Sequence, residues 1–222
     1  MRRFTEILDI AADRKGGREA VLADATPPLS ADELAAIPDD RWLSAMARGI
    51  FQAGISWKVV ENKWPDIEEA FHQFDVARVA HMSEDWFYEL IEDTRIVRSP
   101  PKVRAIQENA LWILSVAGEH GSFGRKIGEW PADDFQGLLD WMQKEGARLG
   151  GGTGSYLLRS MGKESYILSK DVVARLVAEG VIDKAPTSKK AKAAVQQAFN
   201  TWAEESGYNL TQISRVLAQS IG

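Results

Sequence analysis

The sequence predicts an all-α protein, and three observations carry that expectation. Apolar residues recur at helical spacing along almost the whole chain. Serine, aspartate and asparagine stand where helix starts need caps. No segment sustains the period-two alternation of a half-buried strand. More than half of the residues are therefore expected in helices, with no sheet beyond an isolated pair.

The elements follow in order. Phe4, Ile7, Leu8 and Ala11 form a first stripe, which Gly16-Gly17 can end. Ser30-Ala31-Asp32-Glu33 has the spacing of a capping box, in which the serine and the glutamate each satisfy an orphan amide. Asp39 is placed to cap a helix through Trp42, Met46, Gly49 and Ile50. Pro65 is placed to start another, with Ile67, Ala70, Phe71 and Phe74 inward. Ser83 precedes Trp86, Leu90 and Ile91, and 102–117 reads as a long striped helix stopped by Gly118 and Gly121. Pro131 opens a helix carrying Phe135, Leu138, Leu139 and Met142. Beyond a glycine-rich turn come candidates at 154–161, 169–179 and 187–205, and a last helix starts at Asn209 with Leu210, Ile213, Val216 and Leu217. The stretch 1–38 is more polar and broken by Pro27-Pro28, so it reads as an N-terminal helical appendage to a main domain at 39–222.

Composition narrows the classes. The chain has 222 residues, 45% apolar and 27% charged, values of an ordinary globular protein. It has no cysteine, which excludes disulfides, cysteine-held zinc and iron–sulfur clusters. No apolar run is long enough to cross a membrane, and the start turns amphipathic at Phe4 without the apolar core of a signal peptide, so a cytoplasmic location is expected. Eight tryptophans are many for this length; they serve cores and base-stacking sites alike. The net charge of −5 counts against a nonspecific nucleic-acid binder. Two local basic groups remain, Lys184, Lys189, Lys190 and Lys192, and Arg95, Arg98, Lys102 and Arg104; both also fit solvated helix ends.

Three segments carry possible chemistry. Arg148-Leu149-Gly150-Gly151-Gly152-Thr153-Gly154-Ser155-Tyr156 lies between two expected helices. Its glycines permit positive φ and close approach, and the helix that follows presents free N–H groups at its positive end. That is the physics of a phosphate-gripping hairpin, and the same residues fit a tight helix–helix connection. A P-loop is disfavoured because no strand precedes the turn and no Gly-Lys-Ser/Thr ends it. Ser169-Lys170-Asp171-Val172 starts a capped helix with a charged pair, and the helix dipole stabilises an aspartate anion there; plain helix-end electrostatics gives the same pattern. In Phe51-Gln52-Ala53-Gly54-Ile55-Ser56-Trp57 an apolar helix breaks at Ala-Gly and resumes after Ser56. Phe51 and Trp57 fit an ordinary core, and fit equally a slot for a flat aromatic ligand with Gln52 and Ser56 as hydrogen-bonding groups.

In this order the three segments resemble the type I 3-methyladenine DNA glycosylases of the helix-hairpin-helix superfamily. The most specific likeness is 51–57, similar to the family's Q-A-G-L-S-W signature; it continues through 70–75, Val79-Ala80, Ile96-Val97-Arg98, Lys102-Val103 and Asn109-Ala110. It is strong over 42–117, looser over 146–220 and absent before Trp42. The family's cysteine and histidine zinc ligands and its N-terminal aromatic stretch are missing, and its base-reading glutamate falls at Gly49, so this is a divergent member without the metal site.

The resemblance implies a bilobal all-α helix-hairpin-helix glycosylase-like fold and a monofunctional DNA-repair hydrolase. Such an enzyme releases an alkylated purine such as 3-methyladenine from double-stranded DNA. Phe51 and Trp57 are expected to stack on the extruded base, with Gln52 and Ser56 at its edge. Gly150, Gly151, Gly152, Thr153, Gly154 and Ser155 are expected to grip phosphate. Asp171, at or beside the superfamily's catalytic aspartate, would stabilise a cationic sugar or orient water. Lys170 is the amine a lyase step would use, though Gly154, Ser155 and Tyr156 occupy the usual lysine's neighbourhood and no such step is expected. Neither metal nor cofactor is expected, and the protein is expected to act as a monomer with no membrane partner. The alternative is a catalytically inactive helix-hairpin-helix nucleic-acid-binding protein. Trp57 and Asp171 are expected to face one cleft.

Overall fold

A computed structural model describes residues 1–23 and 26–221. Of the described residues 71% are helical, and none forms a strand. In chain order the helices are α1 (Phe4–Lys15), α2 (Arg18–Leu22), α3 (Ala31–Ala35), α4 (Asp39–Gln52), α5 (Trp57–Ala70), α6 (Val76–Ala80), α7 (Glu84–Glu92), α8 (Pro100–His120), α9 (Phe123–Glu129), α10 (Phe135–Glu145), α11 (Gly152–Ser160), α12 (Lys170–Ala178), α13 (Lys189–Ser206) and α14 (Leu210–Gln219). Short 3-10 turns occupy His72–Phe74 and Ala132–Asp134. No helix among the described residues is long and apolar enough to cross a membrane.

The chain divides into two compact units, one of residues 1–29, 131–137 and 162–222, the other of 30–130 and 138–161. Residues 1–38 are expected to stand apart from 39–222, whereas the first unit's N-terminal segment ends at Leu29 and the second unit begins at Ser30. In the first unit the stripe of α1, Phe4, Ile7, Leu8 and Ala11, is fully buried against α13 and α14. Tyr166 stacks on Phe199 with ring centroids 4.4 Å apart, and Trp202 donates its indole N–H to the carbonyl of Arg2 at 3.1 Å. A buried ion network lies beneath: Glu179 accepts from the backbone N–H of Arg2 (2.8 Å), from the Arg2 guanidinium (2.7 Å) and from Arg175 (3.2 Å). Arg175 also donates to the hydroxyl of Ser220 at 2.7 Å.

In the second unit α4 packs against α5, α8, α9 and α11. Its periodicity explains why. Trp42, Leu43, Met46, Ala47, Ile50 and Phe51 are buried on one face, while Arg41, Ala45, Arg48, Gly49 and Gln52 recur on the other. Ser30, Ser83, Ser169 and Asn209 each accept a backbone N–H from the first turn that follows. Three helix boundaries differ from expectation. Asp39 is the first residue of α4, not its cap, and its carboxylate accepts instead from the backbone N–H of Phe123 at the head of α9 (2.9 Å). Pro65 lies inside α5, which begins at Trp57; tertiary burial of Val60, Trp64 and Ile67 on either side outweighs the lost backbone bond. Helix α8 runs through Gly118 and ends at Gly121, whose φ is +89°.

Candidate functional site

A cleft of about 690 Å³ opens on the second unit between the outer face of α4, one stripe of α5, and α11. Residues 57, 61 and 68 lie on one stripe of α5 and line it, while Val60 and Ile67 on the adjacent stripe enter the core. Trp57 is 58% exposed, an unusual state for a tryptophan, and Tyr156 of α11 meets it edge-on, with centroids 6.0 Å apart and planes at 87°. Gln52 and Thr153 line the same cleft. Phe51 does not: it is fully buried on the opposite face of α4, its ring 6.1 Å from that of Phe71. Ser56 is exposed at the head of α5, and its hydroxyl makes no capping bond.

The turn that aims Trp57 is held from outside. Gly54 has φ +76°, and the ammonium of Lys102 on α8 donates to the carbonyls of Phe51 (3.0 Å) and Ala53 (2.8 Å). A cation at the carbonyl end of α4 meets its negative dipole end. Burial, with Arg148 nearby, pushes the Lys102 ammonium below its ordinary pKa. Two of the basic residues expected beside it are engaged too: Arg95 pairs with Asp93 and Glu69, and Arg104 with Glu84.

Two carboxylates line the cleft and differ in state. Glu68, 13% exposed, accepts from Arg41 (3.1 Å), the Ser44 hydroxyl (2.6 Å) and the Trp64 indole (3.0 Å). Glu61, 46% exposed, accepts from the Gln52 amide at 2.8 Å. Arg48 lies 3.6 Å from its second oxygen and is drawn over the Trp64 ring at 4.4 Å. At Gly49 a Cβ would stand 3.1 Å from the methyl of Thr153, so α4 and α11 approach closely there. Glu61, Arg48, Arg41 and Tyr156 are not among the sequence-predicted site residues; the signal that could have found Glu61 is its position four residues after Trp57.

The glycine turn belongs to the same unit. Asn109, fully buried on α8, clamps its approach with two bonds, donating to the carbonyl of Ala147 (3.0 Å) and accepting its N–H (2.8 Å). Gly151 has φ +62° and ψ −136°, a conformation open essentially to glycine alone. Gly154 is buried, and a Cβ there would meet the carbonyl oxygen of Leu149 at 2.7 Å. Ser155 donates its hydroxyl to the carbonyl of Gly152 at 3.0 Å. Gly150 and Gly151 end the turn, so the expected hairpin is shorter than 150–155: Gly152 opens α11, and Thr153, Gly154 and Ser155 lie in its first turns, Thr153 lining the cleft. In the first unit, Ser169 caps α12 by accepting from the N–H of Val172 at 3.3 Å, and Lys170 and Asp171 stand exposed in the first turn.

Comparison with known proteins gives this geometry a context. The family model described as methyladenine glycosylase matches residues 37–136, a span that includes Trp57, Glu61, Lys102 and Asn109 but neither the glycine turn nor Asp171. DNA-3-methyladenine glycosylase 1 of Escherichia coli K12 is 42% identical over 59 residues, which make 27% of this chain and 32% of that protein. The match thus spans about a third of the relative's length. A crystal structure of 3-methyladenine DNA glycosylase I superposes with a TM-score of 0.50 at 25% identity, covering 64% of this chain and 86% of that one. The 8-oxoguanine DNA glycosylase of Thermotoga maritima covers more, 97% of this chain and 95% of its own, with a TM-score of 0.52 at 16% identity, a likeness of fold.

Proposed function

We propose that this chain, whose residues 37–136 match the methyladenine glycosylase family model, is a divergent member of the 3-methyladenine glycosylase-like family and a monofunctional DNA N-glycosylase that releases an alkylated purine such as 3-methyladenine from double-stranded DNA. The observation that carries the reading is Trp57: a tryptophan 58% exposed, at the mouth of a cleft, braced edge-on by Tyr156. An exposed indole face offers a stacking platform for a base taken out of the duplex. Alkylation at a ring nitrogen leaves the purine cationic, and a cation is attracted to an electron-rich ring face.

The reaction is a hydrolysis. The bond between the purine nitrogen and the sugar carbon breaks, the electron pair leaves with the base, and the sugar becomes cationic. Water adds its oxygen to that carbon and loses a proton. In this reading Asp171 stabilises the cationic sugar or orients the water, a role supported by its exposure in the first turn of α12. The turn and the first residues of α11, 150–155, hold the phosphodiester through backbone N–H groups, a role supported by the glycine-only conformation at Gly151. Gln52 serves the base edge, and Phe51 serves from the core, by backing α4.

The test is base release from duplex DNA carrying alkylated purines, wild type against Trp57→Ala under single-turnover conditions. Loss of one stacking platform should slow release by about tenfold or more. An unchanged rate would remove Trp57 from the base site. A second reading, a nucleic-acid-binding protein without chemistry, is favoured by Gly49, which supplies no acidic side chain where the family resemblance places its base-reading glutamate. Tight duplex binding with no release of any alkylated base would select it.

A further inference from the structure

We propose that Glu61 is the specificity residue of the cleft, the group that makes it prefer a positively charged base over a neutral one. The inference rests on the reading of the cleft as a base site.

Glu61 stands one helical turn after Trp57 on α5, so the carboxylate and the indole share a face and both line the cleft. A flat ring laid on Trp57 thus has an anion within one turn of helix. Of the two cleft carboxylates Glu68 is consumed, since Arg41, Ser44 and Trp64 all donate to it. Glu61 keeps acceptor capacity. Gln52, a neutral amide, occupies one of its oxygens, and the 3.6 Å separation from Arg48 is too long for a hydrogen bond. Arg48, its ion-pair partner at 3.6 Å, is shared with the Trp64 ring, so a cationic base competes with a loosely held guanidinium.

The physics assigns Glu61 to binding and not to bond breaking. Before the reaction the alkylated purine carries the positive charge. As the glycosidic bond breaks, the electron pair returns to the ring, the base becomes neutral, and its attraction to the carboxylate fades. An interaction stronger in the ground state than in the transition state selects the substrate without accelerating its chemistry. Glu61 therefore sets which base enters, and its loss should relax selectivity without slowing the committed step.

The experiment measures binding of free nucleosides to the full chain by indole fluorescence, with Trp57→Ala as the blank. The probes are 7-methylguanosine at mildly acidic pH, where it is a cation, and neutral guanosine. Wild type should bind the cation about fivefold more tightly, the scale of a partly exposed ion pair. Glu61→Gln keeps the shape, removes the charge and should bring the two affinities within about twofold of each other, with guanosine unchanged. A preference that survives in Glu61→Gln overturns the proposal, as does a wild type that shows no preference or binds neither nucleoside. Circular dichroism confirms that the variant is folded. Base release from alkylated DNA, measured in parallel, judges the glycosylase reading separately: a wild type that binds the cation selectively but releases no base keeps Glu61 and loses the enzyme.

Discussion

Replacing Gly151 by valine tests whether the glycine turn grips DNA or merely joins two helices. At φ +62° and ψ −136° a residue with a Cβ is strained, and a β-branched one more so. Nothing lies within 4 Å of the position a Cβ would take, so the cost is torsional and not a clash. Such strain is about 1–3 kcal/mol. In a chain of 222 residues each kcal/mol lowers Tm by about 2–4 °C, so a fall of about 2–12 °C is expected. The turn relieves the strain by rotating away from positive φ, which re-aims its backbone N–H groups. Losing one such bond to phosphate should weaken duplex binding by about tenfold. The assay is fluorescence anisotropy with a labelled duplex at several salt concentrations. No lysine or arginine is removed, so the slope of log affinity against log salt should stay as in wild type while the whole line drops. An affinity within about twofold of wild type, in a folded variant with the lowered Tm, would show the turn to be a connector.

Further outcomes follow from the same geometry. Asn109→Ala leaves both backbone groups of Ala147 without their clamp; a loss of about 1–3 kcal/mol is expected, read as a lower Tm together with weaker duplex binding. Lys102→Met removes the donor to the carbonyls of Phe51 and Ala53 and should cost about 1–2 kcal/mol, with base release falling further than stability because Trp57 loses its aim. Burial raises the pKa of Glu179, but hydrogen bonds from the Arg2 backbone and guanidinium, and from Arg175, outweigh it and hold the carboxyl below its ordinary value. A depressed folded-state pKa contributes stability above the unfolded carboxylate range that is lost as pH falls through the folded value. Glu179→Gln should therefore be less stable at neutral pH, by about 3 kcal/mol, and should lose less of its stability on acidification than wild type does.

Much of this architecture was legible because local physics decided it. Ser30 with Glu33, and Asn209 with Gln212, form capping boxes at helix starts that need no tertiary information. The stripe of α1 was equally readable, but its destination was not: polar composition suggested an appendage, whereas Phe4, Ile7 and Leu8 have a core only once α13 and α14 are in place. Pro65 misled because a proline's preference for a first turn is weak against the burial of Trp64 and Ile67. In the site, the exposed Trp57 and the glycine turn stood out as segments. The sorting of Phe51 into the core and Gln52 into the cleft did not, since adjacent residues on a helix differ by about 100° and only packing tells which side is inward. Glu61 was silent for a further reason: an acidic residue on a helix reads as solvated surface until a neighbouring helix turns that surface into a wall.

Whether the chain is a glycosylase, with Asp171 in its chemistry, is decided by base release from a duplex carrying 3-methyladenine, measured for wild type, for Asp171→Asn and against an undamaged duplex. Wild type should release the methylated purine about 100-fold faster than Asp171→Asn does, and should release none from the undamaged duplex. Full activity in Asp171→Asn would move the chemistry to another residue, and absence of release by wild type would contradict the assignment as a glycosylase.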